Sequence, residues 1–332
     1  MKFVHCMILE EKFTKNISSF YDKYFNHGDH SIYYFSCKND KSINFPFACI
    51  KYKIFKNYKY NVLDIVKNIN QLRNADFIVL HSLFFNEFYK IIFLLWPRII
   101  KKLIWIEWGY DLYTLTKQNN FIRRTMHKIF CKKIPYFIAI FPPDIDVYKQ
   151  TFKNSKAKIF YAPYIGYPDG NKGKSYDSTR KLSDIINKKE TLYIQIGHNA
   201  MPTLNHIEVL NALKHFSNEN IKIILPLSYG NKEYADKVEN YAKQLFSDKV
   251  ICLRNFLSPD KYFDIIDKVS ICIFNTQRQC ALGNIHHMIF RNTKLFMPQD
   301  SVMFRYFNGR GVPIYSFDGI EKWILKNLLV ML

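Results

Sequence analysis

LYIQIGHNAMPTLNHIEVLNAL, residues 192–213, decides the fold class. A short apolar run, Leu192–Ile196, turns at Gly197 and passes into a stretch where Leu204, Ile207, Leu210 and Leu213 recur at helical spacing. A strand leading directly into a helix is half of a βαβ crossover. A succession of such units makes a parallel sheet with helices on both faces.

The alternation continues downstream. Strands are predicted at Ile221–Leu225, Val250–Leu253, Ser270–Asn275, Leu295–Met297 and Val312–Tyr315, with helices over Thr203–Phe216 and Glu233–Leu245 and another from about Gly283. Ser258-Pro259-Asp260 reads as a helix start, with a Ser cap, Pro in the first turn and an acid at the positive end of the dipole. Upstream, Phe3–Leu9, Ser31–Ser36, Asp76–Leu80, Leu103–Ile106, Tyr136–Phe141 and Lys158–Tyr161 read as strands, and Asn61–Leu72 as a helix. Between the two sets, Gly166–Lys189 is rich in Gly, Lys, Ser and Asp and reads as a hinge. The expected organisation is a Rossmann-like domain over 1–170, a linker over 171–190 and a second Rossmann-like domain over 191–332. The helical pattern of Lys322–Leu332 stops abruptly, so a further stretch is expected after it.

The 332 residues suit two domains. Net charge is +20, from 48 Lys+Arg against 28 Asp+Glu. Such a surface attracts nucleic acid, anionic lipid headgroups or phosphorylated substrates; the Lys-, Asn- and Ile-rich composition of an AT-rich genome gives the same charge. The seven cysteines form no CxxC pair, which points to a reducing compartment and away from a zinc site; Cys252 and Cys272 read as buried thiols. The longest lipid-like run, Ile91–Trp96, is far short of the roughly 20 residues that span a bilayer. No signal peptide precedes the first strand, so a cytoplasmic protein, soluble or peripheral, is expected.

In open parallel sheets, ligands bind beyond the carboxyl ends of the strands. That rule selects the loops Gly197-His198-Asn199 after one strand, Leu227-Ser228-Tyr229-Gly230 after the next, and Thr276-Gln277-Arg278-Gln279 before a helix opening at Gly283 and Asn284. Glycine lets amides approach a phosphate, a helix start adds positive potential, and a guanidinium binds phosphate oxygens in pairs. The same residues also suit plain turns and caps. In the first half, Asp111 in IEWGYDLY is the first candidate general base, with Glu107 and His81, both at strand ends, behind it. Each equally suits a structural role. In FYKIIFLLWPRIIKKLIW, residues 88–105, Trp96 with Arg98, Lys101 and Lys102 could meet an anionic membrane interface, and Arg123, Arg124, Lys128, Lys132 and Lys133 could extend that patch. A buried helix is the alternative. No Walker loop, GxGxxG or HExxH occurs, and the only DxD spelling, Asp144-Ile145-Asp146, follows two prolines. No metal or other cofactor is predicted.

Four blocks in order carry a resemblance: WGYDLY at 108–113, IGHNAMPTLNHIEVLNAL at 196–213, ILPLSYGNKEYADKV at 224–238 and FNTQRQCALGNI at 274–285. Together they resemble the bacterial 4-acetamido-4,6-dideoxygalactose transferases of glycosyltransferase family 56, of enterobacterial common antigen synthesis. The resemblance implies a GT-B fold of two Rossmann-like domains facing each other across a cleft. It also implies a dTDP- or UDP-sugar donor on the C-terminal domain, and an undecaprenyl-diphosphate-linked saccharide acceptor met at the inner leaflet of the cytoplasmic membrane. Cys280 and Ala281 stand where the family has Gln and Gly, and His198-Asn199 where it has Asn-Ser. The sugar or base is therefore open, and O-antigen or capsule synthesis is as compatible as common antigen. Other readings are a polyol-phosphate or sugar-phosphate transferase on the same scaffold and a non-catalytic basic membrane- or nucleic-acid-binding protein. No aromatic–basic nucleic-acid module occurs, so nucleic acid is not an expected partner.

Overall fold

The computed structural model describes residues 1–8, 11–35, 51–55, 69–83, 87–113, 119–163 and 191–320. The chain divides into two compact units, Met1–Lys172 and Gly173–Leu332. The predicted linker, the first part of the predicted helix Asn61–Leu72 and the pattern over Lys322–Leu332 lie outside the described residues.

The first unit is built on a seven-stranded sheet of order β3-β2-β1-β4-β5-β6-β7, parallel throughout. The strands are β1 (Phe3–Ile8), β2 (His30–Phe35), β3 (Lys51–Phe55), β4 (Phe77–His81), β5 (Leu103–Ile106), β6 (Tyr136–Ala139) and β7 (Lys158–Tyr161). Six were legible as apolar runs. β3, KYKIF, was not: it is the edge strand among the described residues, and its alternating lysines break the apolar run. Helix α1 (Glu11–Tyr24) also escaped; it lays Thr14, Ile17, Ser18 and Tyr21 on one face of the sheet, where Ser18 meets Tyr34. The opposite face holds the larger core, centred on Trp105, which is fully buried against Phe137, Tyr148 and Phe152. Its helices include α2 (Ile69–Asn74), α3 (Glu87–Leu95), α4 (Pro97–Ile100), α5 (Tyr110–Tyr113), α6 (Phe121–Lys133) and α7 (Asp144–Thr151).

The second unit has a six-stranded sheet of order β10-β9-β8-β11-β12-β13, again parallel throughout. Its strands are β8 (Leu192–Ile196), β9 (Ile221–Pro226), β10 (Val250–Leu253), β11 (Val269–Ile273), β12 (Lys294–Met297) and β13 (Ile314–Ser316). The helices are α8 (His206–Leu213), α9 (Lys232–Phe246), α10 (Pro259–Ile266), α11 (Leu282–Phe290) and α12 (Val302–Asn308). The expected helix from Thr203 begins three residues later. Pro202–Leu204 form a single 3-10 turn, and Asn205 at φ 48° breaks it before α8 starts. Ser258 stands at the start of α10 as expected but makes no side-chain cap bond, whereas Asn231 caps α9 by accepting from Tyr234 N–H at 2.8 Å.

Candidate functional site

The strand order of the second sheet reverses between β8 and β11, which are neighbours although β9 and β10 intervene in sequence. The loops that follow such a pair depart in opposite directions and leave a crevice at the carboxyl ends. Gly197, at φ 64°, opens the loop after β8 and donates its N–H to Ile273 O at 2.9 Å. A Cβ there would lie 2.6 Å from His206 Nε2, so the loop rests on the imidazole and only glycine fits. His206 is buried, neither ring nitrogen has a hydrogen-bond partner among the described residues, and burial lowers its pKa to about 4. The ring is neutral at pH 7.

A hydrogen-bond ladder laces the two loops. Asn205 Nδ2 donates to Asn275 O at 3.1 Å, and Asn275 Nδ2 donates to Glu208 Oε2 at 3.0 Å. Beside it lies a cavity of about 610 Å³ lined in part by Asn205, Glu208, Asn275, Gln277, Asp300 and Arg305. Gln277 Nε2 donates to Asp300 Oδ1 at 2.7 Å, and Arg305 Nη1 to Asp300 O at 2.5 Å. A third carboxylate on the wall, Asp318, accepts from Gln299 N–H at 3.0 Å and Ser316 Oγ at 2.9 Å. Carboxylates and amides receive hydroxyl groups well, and the carboxylates repel phosphate. Of these lining residues sequence reasoning selected only Gln277, as part of the loop before α11, and gave none of them a role. Their signal was weak: Asn205, Glu208, Asn275 and Gln277 lie within the quoted blocks, but polar residues near strand ends are common.

The expected donor residues occupy the same ends of the strands. His198 and Asn199 are buried; Asn199 Oδ1 accepts from Met201 N–H at 3.0 Å, and its Nδ2 lies 3.0 Å from His198 Nε2. Tyr229, half-buried beside Ser228, meets the His198 ring edge-on at 6.4 Å. Gly230 follows in the same predicted loop, and a Cβ on it would lie 2.8 Å from the Ala200 carbonyl carbon; this glycine lets the loops after β8 and β9 touch. Arg278 is half-buried and donates from Nη1 to Gln279 O at 2.9 Å, and Gln279 is buried. Gly283 is exposed in the first turn of α11, with nothing within 4 Å of an added Cβ. Asn284 donates from Nδ2 to Tyr262 Oη at 2.8 Å, which brings α10 to the group.

In the first unit, the three candidate bases are enclosed. Asp111 is fully buried and has both oxygens engaged: Oδ2 accepts from Leu83 N–H (3.0 Å) and Trp105 Nε1 (2.8 Å), and Oδ1 from Trp108 N–H (2.8 Å). Burial pushes its pKa up and these bonds pull it down. Glu107, also fully buried, accepts from Gly109 N–H and, at 3.0 Å, from Ile140 N–H. Burial, then the neighbouring Asp144 and Asp111, push its pKa well up. Asp144 is buried in the first turn of α7 and accepts from Tyr113 Oη at 2.6 Å. Asp111 and Glu107 thus have both oxygens engaged, the structural role that each equally suited: in this arrangement the carboxylates clamp the loops after β4, β5 and β6. His81 ends β4 at 3% exposure, with Nε2 3.1 Å from His5 Nδ1.

The basic segment divides. Lys102 Nζ donates to Arg73 O at 2.7 Å and Ala75 O at 2.5 Å and so caps the end of α2. Trp96 is half-buried against the core, whereas Arg98 and Lys101 are exposed. Helices α3 and α6 lie side by side in register: Lys90 Nζ is 3.1 Å from His127 Nδ1, and Phe93 stacks on Phe130 at 6.1 Å. Their outer faces expose Ile91, Leu95, Phe121, Ile122 and Ile129, and the 13 residues of α6 include no acid. No helix among the described residues is long and apolar enough to cross a membrane.

Two doubly wound parallel units in one chain are the GT-B architecture of glycosyltransferases. HepE of Anabaena, solved with UDP-glucose, matches with TM-score 0.66 at 12% identity, over 99% of this chain and 88% of that one. A glycosyltransferase of Rickettsia africae matches with TM-score 0.62 at 12% identity over 96% and 85%. The lipopolysaccharide outer core galactosyltransferase WaaB matches with 0.59 at 12% over 97% and 88%. At these identities the likeness is one of fold. The family comes from sequence: a family model described as 4-alpha-L-fucosyltransferase, glycosyl transferase group 56, matches residues 12–327. The chain belongs to glycosyltransferase family 56 and is a transferase enzyme.

Proposed function

We propose that this enzyme moves a hexose, of the acetamido-dideoxy type, from a dTDP- or UDP-sugar to a polyprenyl-diphosphate-linked saccharide in surface polysaccharide synthesis. The observation that carries the reading is the juxtaposition, at the reversal of the second sheet, of a glycine-backed loop and Arg278 with a carboxylate- and amide-lined cavity. Such a site sorts a nucleotide-sugar by chemistry. The diphosphate lies over Gly197 and against Arg278 and the α11 start at Gly283 and Asn284. The donor's hydroxyls fill the cavity against Glu208 and Asp300. His198, Asn199, Ser228, Tyr229 and Gln279 shape the wall between. HepE's complex with UDP-glucose supports a nucleotide-sugar in a fold of this kind. Charge building on the departing diphosphate is met by a fixed guanidinium and backbone N–H groups, and the reading assigns the reaction no metal or other cofactor.

In the first unit, His81 takes the proton of the acceptor hydroxyl, while Glu107 and Asp111 hold the surrounding loops. The α3–α6 face, with exposed Leu95 and Phe121 among Arg98, Lys101 and Lys132, rests on the anionic inner leaflet of the cytoplasmic membrane. The test is thermal unfolding with dTDP, UDP and CDP-polyols, followed by transfer assays on the wild type and Arg278→Ala. Stabilisation by dTDP or UDP is expected, and Arg278→Ala should lower kcat/KM by roughly 10- to 100-fold, as for a lost charge-assisted hydrogen bond. Stabilisation by CDP-polyols alone, or unchanged kinetics in Arg278→Ala, overturns the reading.

A further inference from the structure

Three buried histidines run in a line across the first sheet. In the parallel register His30 of β2 pairs with Phe3 of β1, and His81 of β4 pairs with Met7. His5, two residues from each along β1, therefore shares their face and sits diagonally between them. His5 Nε2 lies 2.9 Å from His30 Nδ1, and His5 Nδ1 lies 3.1 Å from His81 Nε2. Tyr21 of α1 covers all three, its ring centroid 4.2 Å from His5, 5.6 Å from His30 and 6.0 Å from His81. Among the described residues no group of three His, Cys, Asp or Glu is placed to hold a metal ion. Both nitrogens of the middle ring are already engaged.

A neutral imidazole carries one N–H and one lone pair, so His5 donates to one neighbour and accepts from the other. Only two arrangements of the neutral chain satisfy both links. Passing from the arrangement with every proton on Nε2 to the one with every proton on Nδ1 takes up a proton at the outer nitrogen of His81, releases one from that of His30 and leaves no ring charged. Charge is what this site resists. Burial, then His81 and His30, hold His5 well below the ordinary histidine range, and burial takes His81 down to about 3. A proton arriving on His81 at neutral pH needs an onward path. At the His30 end burial again lowers the pKa, but there the Asp29 carboxylate works against burial, with the amino terminus opposing it, and the Asp29 side chain is 41% exposed and 3.5 Å from the Met1 amino group.

Resting on the glycosyl transfer proposed above, we propose that His81, His5 and His30 are a proton wire that carries the acceptor's hydroxyl proton from the carboxyl edge of the sheet to solvent beside Asp29. The acceptor oxygen bonds to the anomeric carbon as that carbon's bond to the nucleoside diphosphate breaks, and the diphosphate leaves with the electron pair. The hydroxyl proton passes to His81 Nδ1, the His81 Nε2 proton to His5 Nδ1, the His5 Nε2 proton to His30 Nδ1, and the His30 Nε2 proton to water. His81 is the catalytic residue; His5 and His30 act through it.

The experiment pairs kinetics with nitrogen-15 NMR of the histidines in the full chain, for the wild type, His5→Gln and His30→Gln. His5→Gln is expected to lower kcat by roughly 10- to 100-fold, at the lower end of general-base effects, with donor KM unchanged. The solvent isotope effect against deuterium fraction should be curved in the wild type, as for several protons in flight, and straight in His5→Gln. In the spectra His30→Gln, a change at the less enclosed end, should alter the tautomer of His81 two rings away. A kcat within twofold of wild type for His5→Gln, or a His81 tautomer indifferent to His30→Gln, overturns the wire. The spectra read the wire without turnover, so a chain lacking glycosyl transfer would sink the function while leaving the coupling to be judged by itself.

Discussion

Ala281 holds φ 49° ahead of α11, and Gly197 holds φ 64° after β8. The two positions oppose each other in consequence. At Ala281 a side chain occupies left-handed backbone at a cost of about 1 kcal/mol, so Ala281→Gly relieves strain and returns part of the gain as unfolded-chain entropy. A net stabilisation of about 0.5 kcal/mol is expected, read as a small rise in Tm; a fall in Tm would show the backbone unstrained. Gly197→Ala adds the same backbone cost and drives a methyl onto His206 Nε2. A loss of about 2 kcal/mol or more is expected in denaturant melts, together with weaker stabilisation by dTDP or UDP. His206→Ala in the same chain should restore part of it. That Gly197 belongs to a strand-to-helix turn was legible locally. That it backs onto the ring of His206 was not.

At the scale of elements, buried polar groups join strands that the hydrophobic pattern only lines up. Asp111 ties the loop after β4 to the loop after β5 through Leu83, Trp105 and Trp108. Trp105→Phe removes one donor and leaves a buried carboxylate short of a bond, at a cost of about 1–3 kcal/mol. Global stability should fall by that amount while dTDP or UDP still stabilises the second unit; loss of nucleotide binding would contradict the assignment of Asp111 to the first unit's loops. Buried histidines in both units give the fold its pH dependence. His81 and His127 are pushed down to about 3 and His206 to about 4, each chiefly by burial. A histidine whose folded pKa lies below its unfolded value near 6.5 binds its proton first in the unfolded chain. Its contribution is whole above pH 6.5 and lost progressively below it, by roughly 1 kcal/mol per group between pH 6.5 and 5.5. Urea midpoints should be flat above neutrality and drop from pH 6.5 towards 5; a midpoint that climbs on acidification refutes the neutral burial of these rings.

At the scale of the whole molecule, a +20 charge and an apolar face on α3 and α6 act together. Exchanging Leu95 and Phe121 for Glu removes two anchors, each worth about 1.5–3 kcal/mol when buried. Binding to vesicles containing anionic lipid should fall more than tenfold, with transfer to a water-soluble acceptor analogue preserved. Equal sedimentation of variant and wild type would remove this face from the membrane. What the sequence determined by itself was the class of fold and its order: two sets of alternating strands and helices, the carboxyl-end loops, and the family signature. Those features rest on neighbours three or four residues apart, or on a short run of like residues. β3 and α1 were missed because an edge strand rich in lysine and a helix with Thr and Ser on its buried face carry little apolar signal, and α6, α7 and α12 were not read from the sequence either. The tertiary structure alone decided which carboxylates leave water, which polar side chains surround a cavity, and that His5 meets residues 25 and 76 positions away. Desolvation and hydrogen bonding depend on what chain topology brings within about 3 Å, and no local spacing encodes that.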